Sequence, residues 1–475
     1  WFNIAGAGPH TITVNTATLG ALPTITDAII IDGTTESGAS LGTLVTGTQH
    51  TLMIELRSGV AGNADGLTAG ADGSTIQGLV LNNFATAIYL SSANNTVEGN
   101  YIGTNIAGSA ALPNFDKGIV VDSSGSNIIQ NNLVSGNLNG ADEEGVLLQG
   151  ASATGNIVRG NIVGLNATGT ASIGNHYGVR IILGANGNTI GGTSVTERNI
   201  ISGNNTYGIL IEGSSTINNL VIGNFIGTDL NGTADLGNLA DGVLLNVTSM
   251  NTIGGAASGA GNVIAGNDGN GVHIVSGSDL NQVLGNFIGT DQSGTLDLGN
   301  QNGIRVAATT GPNRIGGTGL DEGNVIAFNT LDGITVSSDS AGTSILGNLL
   351  YSNDRLGIDL EGGSENGFGV SSNDAGDGDT GANHLLNFPV LTNVVQNGAN
   401  LDIEFAVDLV AGNYRIEFFD NASGLDASGF GEGETFVGFA TITVTGAAGY
   451  ETFSTTLTGV TASDVANITV TATED

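Results

Sequence analysis

The chain has 475 residues, with 79 glycines, 5 prolines, no cysteine, and 44 acidic against 9 basic residues for a formal net charge of −35. This excludes a collagen, which needs proline beside its glycine, and any disulfide, thiol nucleophile or thiolate metal site. The charge repels phosphate backbones and anionic bilayers, so neither a nucleic-acid partner nor membrane insertion is expected.

With 39% hydrophobic and only 11% charged residues, the sequence can bury a core. It begins at Trp1 without a methionine and reads as a processed form or as a segment of something longer. Residues 1–85 are taken as an N-terminal cap and the first turns of a repeat. From there the phrase Gly99-Asn100-Tyr101-Ile102-Gly103-Thr104 returns at Gly160, Gly223, Gly285 and Gly347, at spacings of 61, 63, 62 and 62 residues. A second phrase, Gly-apolar-x-apolar, occurs about twice per period, at Gly118, Gly145, Gly178, Gly208, Gly242, Gly271, Gly303, Gly333 and Gly357. Between them lie apolar runs of three to five residues opened by asparagine and closed by Gly, Asn or Ser, which read as short strands and turns.

Three short strands per coil, repeated about ten or more times, predict an all-β parallel β-helix over 1–361, with regular coils from 86. Stacking is required because one coil cannot bury its own inner face. Asparagine at the turns is expected to tolerate left-handed backbone and to bond one coil away. Residues 362–384 form an acidic Gly/Asp/Asn linker. From 385 the grammar changes to longer alternating strands, Leu401–Val407, Tyr414–Phe419, Thr435–Val444, Glu451–Leu457 and Val465–Thr471, and predicts a small antiparallel β-sandwich over 385–475.

The segments Phe2–Ile12 and Ile30–Thr35, the Asn-x-Ile-Gly-Gly and Gly-Asn-Phe-Ile-Gly-Thr-Asp phrases, and the stretch Asn373–Asp379 through Asn387-Phe388-Pro389-Val390-Leu391 carry a resemblance. Together they resemble bacterial right-handed parallel β-helix proteins of the pectin-lyase-like superfamily. That resemblance implies a module of a large secreted or surface protein beside an immunoglobulin-like domain. It is specific for fold and setting and implies no particular activity.

In a parallel β-helix equivalent positions stack into columns. The first and third residues after each repeat glycine are apolar and point inward, so the second points outward. That outward column reads Val120, Leu147, Arg180, Leu210, Leu244, His273, Arg305, Thr335, Asp359. Leu147, Leu210 and Leu244 form an apolar ladder on an outer wall and are expected to be covered, either within the chain or at an interface. Arg180, His273 and Arg305 share the column. On an enzyme they would be the catalytic group, Arg305 neutralising a uronate and His273 acting as base, with His176 and Tyr177 beside Arg180 as a second trio. The bland reading is a solvated, ion-paired face. The pectin-hydrolase phrases Asn-Thr-Asp, Gly-His-Gly and Arg-Ile-Lys are absent, and Lys117, the sole lysine, has no arginine in the coils beside it to complete a lyase pair.

Calcium is the expected cofactor. Asn373, Asp374, Asp377 and Asp379 lie within seven residues of a glycine-rich segment, the oxygen-only composition that a hard cation takes. Asp229 with Asp235 and Asp291 with Asp297, in the repeated loops, are second candidate metal sites. The functional expectation is a calcium-stabilised, non-enzymatic extracellular module: a surface scaffold, an adhesin segment or a self-assembling fibre subunit. Its partners would be other copies of itself or other surface proteins. The alternative is a polysaccharide-active enzyme (lyase, hydrolase or epimerase on an acidic glycan) or a glycan-binding module without catalysis.

Overall fold

The computed structural model describes residues 2–140, 142–309 and 311–474. They form three parallel sheets of 12, 11 and 11 strands and two antiparallel sheets of three strands each. The chain folds as two compact units, Trp1–Val272 and His273–Asp475. The first contains coils only; the second contains the later coils and the antiparallel strands.

One coil of the first unit shows the construction. Lys117–Asp122 lies on one wall, Ile128–Gln130 on the next and Leu133–Val134 on the third. The next coil repeats this with Glu144–Gln149, Ile157–Arg159 and Ile162–Val163, in parallel register with Val120 opposite Leu147, Ile129 opposite Val158 and Leu133 opposite Ile162. Ile119, Val121, Ile129 and Leu133 point inward and are fully buried. Each repeat glycine of the longest wall is fixed by space. A Cβ on Gly178 would sit 2.5 Å from the carbonyl oxygen of Gly208 in the next coil.

The Gly-Asn phrase has a different logic from the one expected. The asparagines that bond from coil to coil are not left-handed; at many of them the residue before is. Gly99, at φ +66°, precedes Asn100, and where glycine is missing a residue such as Asn94, at φ +59°, takes the same conformation before Asn95. The asparagine that follows is turned inward. Asn100, Asn132, Asn161, Asn199, Asn224 and Asn262 form one buried column in which each backbone N–H donates to the side-chain oxygen of the next, at 2.9–3.2 Å. Their Nδ2 groups donate to the same oxygens, and Asn161 Nδ2 also donates to the carbonyls of Ile129 and Arg159. Two further columns run from Asn95 to Asn251 and from Asn114 to Asn267.

In the second unit the last parallel strand is Ile358–Leu360 and the first antiparallel strand is Val390–Asn397. Strands Asn400–Val407 and Glu451–Thr458 complete one antiparallel sheet; Thr435–Val444, Gly412–Asp420 and Ile468–Glu474 form the other. The two share a core of Leu401, Ile403, Phe405, Tyr414, Ile416 and Phe418. Val465–Asn467, expected as the start of the last strand, is a 3₁₀ turn whose N–H at Ala466 is capped by Asp464. These strands also terminate asparagine columns. Asn300 donates to Asn329 and Asn329 to Asn353, and Asn353 then donates its backbone N–H to Glu432, at 3.1 Å. Gly347, beside the ladder residue Asn348, donates to Glu417 at 2.8 Å.

The cover expected for the leucine column is found within the chain. Leu147, Leu210 and Leu244 are only 1%, 4% and 7% exposed, so the outer wall carries no open apolar ladder. Strands of one wall stand ~4.8 Å apart, close enough for side chains in a column to cover one another. Leu147 is flanked by Val120 and Arg180, and Leu210 by Arg180 and Leu244.

Removing one ladder residue strands polar groups on both neighbours. Asn161→Ala should lower stability by about 2–4 kcal/mol, read as a depressed unfolding midpoint. Asn231→Ala, on an exposed loop, should stay within about 0.5 kcal/mol. Equal midpoints for the two variants would refute the role of the ladder.

Candidate functional site

In the first unit Arg180 is the hub of a charged cluster on the wall of Lys117–Asp122. Its Nη1 donates to Asp142 at 2.8 Å and to Glu144 at 3.0 Å, and its Nη2 to Glu212 at 3.2 Å. Glu144 is only 1% exposed and also pairs with Lys117 at 3.4 Å. Lys117 and Arg180, one coil to either side of Glu144, are thus joined through it, a link the sequence reading missed. Burial raises the Glu144 carboxyl above its usual range, against the attraction of Lys117 and Arg180. Tyr177 packs under the guanidinium, with Arg180 Cζ 5.0 Å from its ring centre, and lies 6.0 Å from the Tyr207 ring at 24°. His176 meets the Tyr177 ring edge-on at 4.7 Å, so His176, Tyr177 and Arg180 do come together. Tyr89 stands on the same wall and donates to Asp122. Burial, then that bond, pushes its phenol up to about 12.

The second unit holds His273 on strand Val272–Val275 and Arg305 on strand Ile304–Ala307. Arg305 is gripped by both oxygens of Glu361, at 3.0 and 3.4 Å. The proposed trio therefore divides between the units, with Arg180 in the first and His273 and Arg305 in the second. Both arginines are engaged by carboxylates.

Glu361 lines a cavity of about 980 Å³ with Asp332, Arg355, Asp359, Glu365 and Glu432. Asp359 follows Thr335 and Arg305 in register down the wall. It stands two residues before Glu361, and strand alternation puts the two on one face, about 6.6 Å apart at the backbone. Burial, then the charges of Asp332, Glu365 and Glu361, push the Asp359 carboxyl up to about 7, with Arg305 opposing. One of its oxygens is buried without a hydrogen bond. Glu432 is also pushed up to about 7 by burial, although Asn353 donates to it. Reading the outward column gave Asp359 as a member but not as a site. Glu432 had no local signal, because it lies 79 residues from the asparagine it caps.

Of the metal candidates, Asp374, Asp377 and Asp379 bring carboxylate oxygens within 4.8 Å of one another. Asn373 does not join them as a free donor. Its amide pairs with the Phe388 backbone, accepting at 3.0 Å and donating at 2.8 Å. The repeated-loop aspartates close their own turns. Asp229 accepts from Thr233 and Ala234, and Asp235 from Gly237. Asp291 accepts from Ser293, Thr295 and Leu296. Burial alone would raise Asp291, but the Ser293 hydroxyl and these amides outweigh it and hold the carboxyl at about 2. Asp297 belongs to no group of metal-ligating residues among those described.

Residues 44–226 match the family model described as "Right handed beta helix region". This segment is a right-handed parallel β-helix. No curated protein sequence matches the chain. Among solved structures it is similar to the A-module of a mannuronan C-5 epimerase from Azotobacter vinelandii, at 15% identity and TM-score 0.41, over 73% of this chain and 84% of that one. A periplasmic alginate epimerase matches at 14% identity and TM-score 0.38, over 64% and 73% of the two chains. A thermostable α-1,3-glucanase from Streptomyces thermodiastaticus matches at 13% identity and TM-score 0.32, over 69% and 62%.

The expected non-enzymatic scaffold, adhesin segment or fibre subunit is corrected at this point. The solved structures just named are described as polysaccharide enzymes. The leucine ladder that motivated self-association is buried. Among the described residues no helix is long and apolar enough to cross a membrane.

The two carboxyls near 7 give stability a definite pH dependence. Unfolded carboxyls titrate near 4, so the folded state holds these protons more tightly. The resulting stabilisation is complete below about pH 4 and is lost as pH rises through 7. For Glu432 it is on the order of 3 kcal/mol. The unfolding midpoint of wild type should fall between pH 5 and pH 8, and Glu432→Gln should flatten that fall. Parallel slopes for the two proteins would contradict it.

Proposed function

We propose that the chain is a polysaccharide-active β-helix protein that works outside the cytoplasm, in the secreted or surface setting that the sequence resemblance implies. The reaction we assign is glycoside hydrolysis in the acidic cavity of the second unit. One arrangement carries this reading: Asp359, buried with an oxygen that has no hydrogen bond and with its carboxyl pushed up to about 7, stands two residues from the Arg305-paired carboxylate Glu361 in a cavity of about 980 Å³. Hydrolysis of a glycosidic bond needs one carboxyl that donates a proton and one that stays ionised, about 5–9 Å apart. Burial gives Asp359 the first role, and the bidentate arginine gives Glu361 the second.

The substrate class follows from charge. Arg180 and Arg305 are both engaged by carboxylates, and the chain carries −35, so a uronate finds no free cation on them and meets repulsion from the rest. This supports a neutral glycan in place of the acidic one first considered. On the first unit, the Tyr177–Tyr207 pair offers aromatic surface of the kind on which the apolar face of a sugar ring packs, ringed by the hydroxyl-accepting carboxylates Asp142 and Glu212.

The test is release of reducing ends from a panel of neutral glucans, mannans and galactans, with alginate and polygalacturonate as contrasts. A neutral glycan should be cleaved, with activity falling above about pH 7 as Asp359 loses its proton. Asp359→Asn and Glu361→Gln should each lower the rate at least ~100-fold while glycan binding persists. Cleavage unchanged in both variants, activity confined to the uronates, or no cleavage of any glycan would overturn the assignment.

A further inference from the structure

Segment 373–379 crosses from the last coils to the antiparallel sheets, and Asn387 organises it. The Asn387 N–H donates to Asp377 Oδ1 at 2.7 Å, and its Oδ1 accepts from the Asp374 N–H at 2.9 Å. Its Nδ2 donates to the carbonyls of Asp374 and Asp408, at 3.0 and 2.7 Å. This clamp holds oxygens of Asp374, Asp377 and Asp379 within 4.8 Å of one another, with the Asp377 side chain 8% exposed. Oδ1 of Asp374 and Oδ1 of Asp379 are buried and have no hydrogen-bond donor. Asp408, tied to the same asparagine and 5% exposed, likewise has a buried Oδ1 without a donor.

Buried carboxylate oxygens are costly unless a donor or cation meets them. Three carboxylates in one cluster add mutual repulsion. The donor set is oxygen only, comes from a glycine-rich segment and contains no imidazole. That chemistry fits a hard cation with loose geometry better than zinc or a strictly octahedral magnesium.

We propose that Asp374, Asp377 and Asp379 bind a calcium ion, which locks segment 373–379 onto the Asn387–Asp408 side of the antiparallel sheets. The ligands are not the carboxyls assigned to hydrolysis, and the test of the site does not read activity.

The full-length protein, stripped with chelator and dialysed, is titrated with Ca²⁺ and separately with Mg²⁺ by calorimetry, and its unfolding is followed with and without Ca²⁺. One Ca²⁺ per chain should bind saturably with Kd below ~1 mM, with Mg²⁺ at least tenfold weaker. Calcium should raise the unfolding midpoint by several degrees. Asp379→Asn and Asp374→Asn should each weaken binding more than tenfold, whereas Asp291→Asn should leave it unchanged. Absence of saturable Ca²⁺ binding with an unmoved midpoint in wild type, or wild-type affinity in both cluster variants, would overturn the site.

Discussion

The asparagine columns are the constraint on which this architecture rests. A coil of short strands must turn three times in about thirty residues, and every turn leaves backbone donors and acceptors facing inward. The side-chain amide is the one group that can accept from the coil beside it and donate onward in the same plane. Asn161 illustrates this, accepting from both nitrogens of Asn132 and donating to Asn199. Such a chain of amides is rewarding only when complete, since a gap leaves buried polar groups on both sides. Where the residue before the asparagine is left-handed, as at Gly99, Gly160 and Gly223, the Gly-Asn pair is a two-residue unit: one residue bends the chain and the other fastens it.

Much of this was legible from the sequence because period and chemistry coincide. The recurrence near 62 residues marks paired coils, and the Gly-apolar-x-apolar phrase marks one wall, where glycine lets the chains approach closely. The column reading put Arg180 beside Leu147 and Leu210, and the register agrees. What escaped was whatever depends on side-chain reach. Leu147 looked exposed because alternation reports only direction, whereas burial depends on the bulk of the neighbours. Lys117 seemed isolated because it meets Arg180 only through Glu144, which sits in a column that was not read. The fastening role of Glu432 needs two distant stretches of chain to meet, which no local pattern records.

Charge has two distinct uses in this molecule. At one point a cation is held by several acids at once, as Arg180 is by Asp142, Glu144 and Glu212. Where buried acids outnumber the cations beside them, as at Asp359, burial and repulsion push the carboxyl up to about 7 against the pull of Arg305. The first arrangement orders a wall, and the second tightens a carboxyl's hold on its proton. With 44 acidic and 9 basic residues, most carboxylates must choose solvent over a partner, so the few that are buried stand out as candidates for chemistry.

The carboxylate caps bear on how the chain is made. Glu432 closes an amide column whose last asparagine, Asn353, lies 79 residues earlier in the chain, and Glu417 accepts from the Gly347 N–H, 70 residues earlier. Synthesis runs from the N-terminus, so the coils emerge and begin to stack while their last amides still lack acceptors. Until those two glutamates arrive, the growing end presents unpaired strands and open donors to whatever is nearby, including another nascent copy. The antiparallel strands thereby act as a stop signal for coil addition, delivered by the ribosome only after the coils they terminate.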